Sequence, residues 1–419
     1  MSNPTKKIVL TEDWTVVVLG FSIILLAVLG VLLPVPSFGW NNTSELLDKV
    51  LSGANIQKIL IQLVAVVIVA VAGALLLGKS VKPFFTGLPV VYSLTILALI
   101  ITGNSAAKDL NLEAVIFSLI IGLVIGNTVK LPEWLKAALS TELFVKVGLV
   151  LLGTSVIFSD ILKSGSLGII QALVVVVSVW YFAFWLSKKM GIDEEMGIML
   201  SSAVSICGVS AAIATSGAIK GDSKKLSYVI SLVLITAIPM MIFMPYAAKA
   251  MGLSEAVTGA WLGGTIDTTG AVAAAGTLVG EEALKVSTIV KFSQNLLLGV
   301  AAFAISIYWT VTNNPLAKDK ETKPSLGVIW ERFPKFVLGF VAASLLFSFA
   351  LSPETVSSVK GSLKNFQGLW FALAFTSIGL ETNFSDIFNK DSKKPLYAFL
   401  IAQGFNILVT LLVAYFLFR

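Results

Sequence analysis

Long apolar runs alternate with short polar connections along the chain, and each run is close to the roughly 20 residues that a helix needs to cross a bilayer. The pattern predicts thirteen helices, near 14–35, 58–78, 84–103, 112–127, 141–158, 167–187, 195–219, 226–249, 256–279, 285–311, 328–351, 366–382 and 396–418. The fourth and twelfth are short. Residues 36–56 read as an interfacial loop with an amphipathic helix around 44–51, and 312–323 (TNNPLAKDKETK) as the most polar connection. The first run, 16–35, is too long for a signal-peptide core and reads as a retained helix.

Two runs carry small and polar residues mid-stretch: 201–217 (SSAVSICGVSAAIATSG) and 261–277 (WLGGTIDTTGAVAAAGT). They align without gaps at an offset of 60, pairing Ile206 with Ile266, Ala211 with Ala271 and Ala214 with Ala274, and the match runs on to Ser227 with Ser287. Paired, glycine-interrupted hydrophobic segments point to a transporter binding site. A broken helix frees backbone groups that membrane depth tolerates only where protein or a cavity satisfies them. A second similarity joins 153–161 (GTSVIFSDI) to 379–387 (GLETNFSDI), with Asp160 and Asp386 read as caps of the following helices. The two helices that carry them lie seven spans apart in the predicted order, which gives opposite orientations, as in an inverted repeat. The offset-60 pair lies two helices apart and is expected to be parallel. One simple repeat does not hold both similarities unless a segment is re-entrant.

The chain is 56% hydrophobic and 13% charged, with a mean hydropathy of +0.91. Soluble domains carry about 25% charged residues, so this is an all-α polytopic membrane protein of about thirteen segments, fewer with re-entrant ones. The net charge of +6 fits positive-inside loops rather than nucleic-acid binding. The loop lysines favour a cytoplasmic N-terminus and, with an odd count, an outside C-terminus. One cysteine and no histidine exclude an internal disulfide and argue against zinc, haem, and Ser-His or Cys-His chemistry. Proton chemistry falls to carboxylates, Lys or Tyr.

The segments SICGVSAAIA (205–214), GGTIDTTGAVAAAG (263–276), EEALKVSTIVKFSQNLLLG (281–299) and KVGLVLLGTSVIFSDIL (146–162) resemble the YeiH-like (UPF0324) family of bacterial inner-membrane proteins, named sulfate exporters by inference. The resemblance spans roughly 85–419. It implies an architecture similar to bile-acid symporters and cation/proton antiporters: inverted repeats, two crossing broken helices, and a core domain moving against a panel. On that pattern 1–111 are panel or scaffold helices, 112–251 a first repeat with its break near 201–217, and 252–419 a second with its break near 261–277. Where relatives show His-Asp after the Ser/Thr-Ile pair, this chain has Asp267 and Thr268; where an Arg follows the Lys by three, it has Gln294. Both departures remove cationic groups.

Asp267 leads the candidate site. A carboxylate at membrane depth costs about 2.5–3.5 kcal/mol on insertion scales and is retained for a partner, a cation or a proton. It reads as an H⁺ carrier, as a Na⁺ ligand with Thr265, Thr268 and Thr269, or as the cap of a half-helix. Lys291 is expected to reach Asp267 or a bound anion, or else to snorkel to the interface. Gln294 and Asn295 bind a polar substrate or glue helices together. Ser205, Cys207, Gly208 and Ser210 surround a break whose exposed N–H groups favour an anion, or merely let helices pack, with Cys207 as a small apolar filler. Glu381 and Asn383 form a second cation site or a solvated helix end.

The leading function is a secondary transporter for a small solute, an anion first, working by alternating access coupled to H⁺ or Na⁺. A channel and an intramembrane enzyme are the alternatives. No HExxH or GxSxG pattern is present, and neither ATP drive nor enzyme activity is expected. The expected partners are the bilayer and a solute or ion, with a homodimer allowed and no nucleic acid. No resident cofactor is expected.

Overall fold

A computed structural model describes residues 10–109, 114–313, 330, 333–382 and 393–419. No β-strand occurs among the described residues. The main helices are α1 (Glu12–Val28), α2 (Gly53–Leu76), α3 (Leu88–Thr102), α4 (Ala114–Thr128), α5 (Thr141–Leu152), α6 (Phe158–Lys189), α7 (Glu194–Ser202), α8 (Val209–Ile219), α9 (Ser223–Ala250), α10 (Glu255–Thr265), α11 (Thr269–Val279), α12 (Glu281–Asn313), α13 (Phe336–Leu345), α14 (Pro353–Glu381) and α15 (Lys394–Phe418). Five of them, α2, α6, α9, α12 and α15, are long and apolar enough to cross a membrane.

The chain divides into two compact units. One holds Met1–Phe158 and Lys335–Asn383, the other Ser159–Pro334 and Phe384–Arg419. In the first, α4 and α14 cross closely. A Cβ on Gly122 would lie 2.8 Å from the Gly379 Cα, and Gly126 would meet the Leu380 carbonyl at 2.6 Å. Small residues let helices approach in this way where lipid offers no hydrophobic drive. Lys146 on α5 pairs with Glu12 at 2.8 Å and Asp13 at 3.1 Å. The twelfth predicted helix is longer than its apolar run. It begins at Pro353 on a Ser352 cap, so polar residues fill its first three turns.

In the second unit, the segments 195–219 and 256–279 are not spans. A continuous helix over 194–219 would part its ends by about 40 Å. Here the ends touch. Lys225 pairs with Asp193 and Glu195, each at 2.6 Å, and the Asp222 amide donates to Glu195. The second segment closes in the same manner, with the Glu282 and Ala283 amides donating to Glu255 Oε2 at 3.1 and 3.2 Å. Each segment is therefore a re-entrant helical hairpin. Glu195 and Glu255, like Asp222 and Glu282, stand 60 residues apart, so the alignment seen in the sequence extends to both clasps.

The arms part at the aligned positions. A π-turn over Ala203–Cys207 ends the α7 arm, and Gly208 reverses the chain at φ 62°, ψ −114°. In the second hairpin, Ile266 and Thr268 take extended conformations between α10 and α11. The hairpin bases lie at opposite ends of α9, so the hairpins point towards each other rather than run parallel. Hydropathy alone does not distinguish a run that crosses from one that turns back, which is why the parity count erred. The arms of the second hairpin pack tightly along α12: Cβ atoms on Gly259 and Gly276 would meet Ala283 O at 2.7 Å and Ser287 Oγ at 2.6 Å.

Candidate functional site

The hairpin tips meet. A Cβ on Gly208 would stand 3.0 Å from the Asp267 Cβ and 2.6 Å from a Val233 methyl. At this junction each inbound arm ends in carbonyls that no further helical turn can satisfy. Side chains from α12 and α15 take that role. Lys291 Nζ donates to Ile206 O at 2.8 Å and to Gln294 Oε1 at 2.9 Å. Gln294 Nε2 donates to Ser205 O at 2.8 Å and Gly264 O at 3.2 Å, bridging the hairpins. Gln403 Nε2 donates to Thr265 O at 3.0 Å. Asn406 Nδ2 donates to Val204 O at 3.0 Å and Thr265 O at 3.3 Å, while Thr410 holds the Asn406 oxygen at 2.8 Å.

Asp267 lies inside this girdle and takes no part in it. It is 1% exposed, and neither carboxylate oxygen has a hydrogen-bond partner. It does not cap α11; Thr268 does, accepting from the Ala271 amide at 3.3 Å. Lys291, also 1% exposed, does not snorkel. It interacts electrostatically with Asp267 while its hydrogen bonds go to Ile206 O of the first hairpin and to Gln294 Oε1.

The structure gathers most of the expected site. Thr265, Asp267, Lys291, Gln294 and Asn295 are buried together, with Asn295 Nδ2 donating to Thr269 Oγ1 at 3.4 Å. Thr268 and Thr269 are half-buried. Ser205 contributes its carbonyl, while its hydroxyl donates to Ser201 O at 2.7 Å. Cys207 packs in an apolar cluster with Val176, Ile206, Ala211 and Leu298, a filler as expected. Ser210 is exposed. Glu381 belongs to the other unit, where it accepts from Thr141 at 2.8 Å, and Asn383 lies outside the described residues, as does Asp386. Gln403 and Asn406 went unread in the sequence. Their signal was legible: two amides three residues apart in an otherwise apolar helix are rarely idle.

A family model described as Conserved hypothetical protein 698 matches residues 86–398, which takes in both hairpins and the girdle up to the start of α15. The chain belongs to the UPF0324 family of membrane proteins. A UPF0324 membrane protein of Rhodopirellula baltica is 42% identical over 82% of this chain and 64% of its own length. One from Nitratidesulfovibrio vulgaris is 40% identical over 83% of this chain and 61% of its own. The chain thus spans about three-fifths of these relatives. The UPF0324 inner membrane protein YeiH of Salmonella typhi is 26% identical over 80% of this chain and 97% of its own length. No solved structure matches. This UPF0324 member is accordingly a multi-pass membrane protein.

Proposed function

We propose that this UPF0324 protein is a secondary transporter that moves a small anionic solute by alternating access, with Asp267 carrying the coupling cation. One observation carries the reading: two oppositely based hairpins meet tip to tip around a buried lysine and a buried carboxylate that accepts no hydrogen bond. Outbound arms α8 and α11 begin at that junction, and helix N-termini attract anions through their free N–H groups and dipoles. Lys291 adds a full positive charge beside them. The hairpins' opposed bases support inverted repeats over 112–251 and 252–419, with a core moving against a panel. A self-contained site of this kind favours a carrier over a pore built from symmetric rings.

Counterflow in proteoliposomes tests the reading, with a panel of small inorganic and organic anions as solutes. A carrier accelerates uptake of labelled solute when unlabelled solute is trapped inside. Conductance without counterflow would overturn the proposal in favour of a channel.

A further inference from the structure

At the tip junction, donors and acceptors do not balance. The amide and ammonium donors around the tips are engaged: Lys291, Gln294, Gln403 and Asn406 all hold backbone carbonyls. Five oxygens are left over: four acceptors, Asp267 Oδ1 and Oδ2, Asn295 Oδ1 and Gln403 Oε1, and the Thr265 hydroxyl. Their residues are all 95% or more buried. Burying one polar acceptor without a partner is costly, and burying an ionised carboxylate is more so.

The leftovers belong to residues linked at one tip. Thr265 and Asp267 flank the extended Ile266. Asn295 is tied to Thr269, two residues beyond Asp267, and stands one turn from Lys291 on the same face of α12. Gln403 is tied to the Thr265 carbonyl. A proton on Asp267 would settle the carboxylate and leave the neutral oxygens as they are. A hard cation would settle several at once, because oxygen-only ligand sets suit such ions. A lone carboxylate among neutral oxygens suits a monovalent ion better than a divalent one.

We infer that the tip of the second hairpin is a sodium site, formed by the Asp267 carboxylate, Thr265 Oγ1 and Asn295 Oδ1, with Gln403 Oε1 completing it. Its role as the coupling site rests on the transporter reading; its existence does not. Sodium bound there would cancel the Asp267 charge that repels an anion near Lys291, so each ligand would raise the affinity for the other by the same factor.

Thermal unfolding of the purified full chain, followed by tryptophan fluorescence in detergent, tests the site. Ionic strength is held constant with choline chloride. Sodium should raise Tm saturably by roughly 3–5 °C, and potassium should not. Asp267→Asn should abolish the sodium response while still unfolding cooperatively in choline, and Asp267→Glu, which keeps the charge, should retain part of the response. Thr265→Val, nearly isosteric, should weaken the response at least tenfold in midpoint concentration. The inference fails if sodium has no effect, if potassium matches it, or if the response survives Asp267→Asn. A sodium response without solute counterflow would keep the site and remove the transporter; counterflow without a sodium response would do the reverse.

Discussion

At the tip of the first hairpin Cys207 packs among apolar side chains, and the carbonyls before it are held by Lys291, Gln294 and Asn406. Sixty residues on, at the aligned place, Asp267 sits buried with both oxygens unpartnered. The surroundings are otherwise matched. Glu195 and Glu255 clasp the two bases alike, and the outbound arms begin at aligned positions, Val209 and Thr269. Two hairpins of matched form thus carry a thiol among apolar side chains at one tip and a buried carboxylate at the other. The lesson is that the hairpin shape needs only small residues and capped carbonyls, and leaves the tip side chain free to differ. The asymmetry can be attacked from either side.

The largest effect should come from exchanging the tips' chemistry. Asp267→Asn is expected to reduce coupled uptake in proteoliposomes to background, while Cys207→Ser, its counterpart, leaves uptake near wild type. Equal losses from both would mean that the tips are functionally equivalent. Next comes Gly208→Ala. It forces a side chain into a strained backbone region and against Val233 and Asp267, and should destabilise by about 3 kcal/mol. Its counterpart Thr268→Ala should lose only a helix cap, about 1 kcal/mol. Thermal unfolding of the two variants side by side measures that gap.

Asn406→Leu strips a donor from one carbonyl of each hairpin and should cost about 1–3 kcal/mol. If stability holds but the two hairpins separate in cross-linking, the girdle binds the tips to each other rather than to α15. The smallest effects belong to the clasps. Glu195→Gln and Glu255→Gln should each shift stability by under about 1 kcal/mol, because such pairs lie near water. The first should respond more to salt, since only Glu195 carries an ion pair, with Lys225.

Much of this site was legible in the chain. The gapless match of 201–217 with 261–277 located both tips, and the isolated Asp267 stood out in the second. The turning back was not legible, because a run of 25 apolar and small residues satisfies the length of a span whether or not it reverses. The clue lay outside the hydrophobic pattern, in Glu195 and Glu255, which fall at the same offset but look like ordinary first-turn acids. Gln403 and Asn406 were missed for a different reason: their partners are carbonyls, which carry no side-chain signature. In the other unit Glu381 resembled a second site only because its alignment partner lacks a charge. Its carboxylate is engaged by Thr141, a contact that no local pattern foretells.

The bond from Asn406 to Val204 joins residues 202 positions apart, and Gln403 reaches Thr265 across 138. Both amides sit on α15, which leaves the ribosome after every other helix described here. Once α12 is made, the carbonyls of Val204 and Thr265 still wait for these donors, and the junction becomes complete only when α15 arrives. Assembly order is thereby built into the site: a chain that stalls before 394 has both hairpins but an unfinished junction.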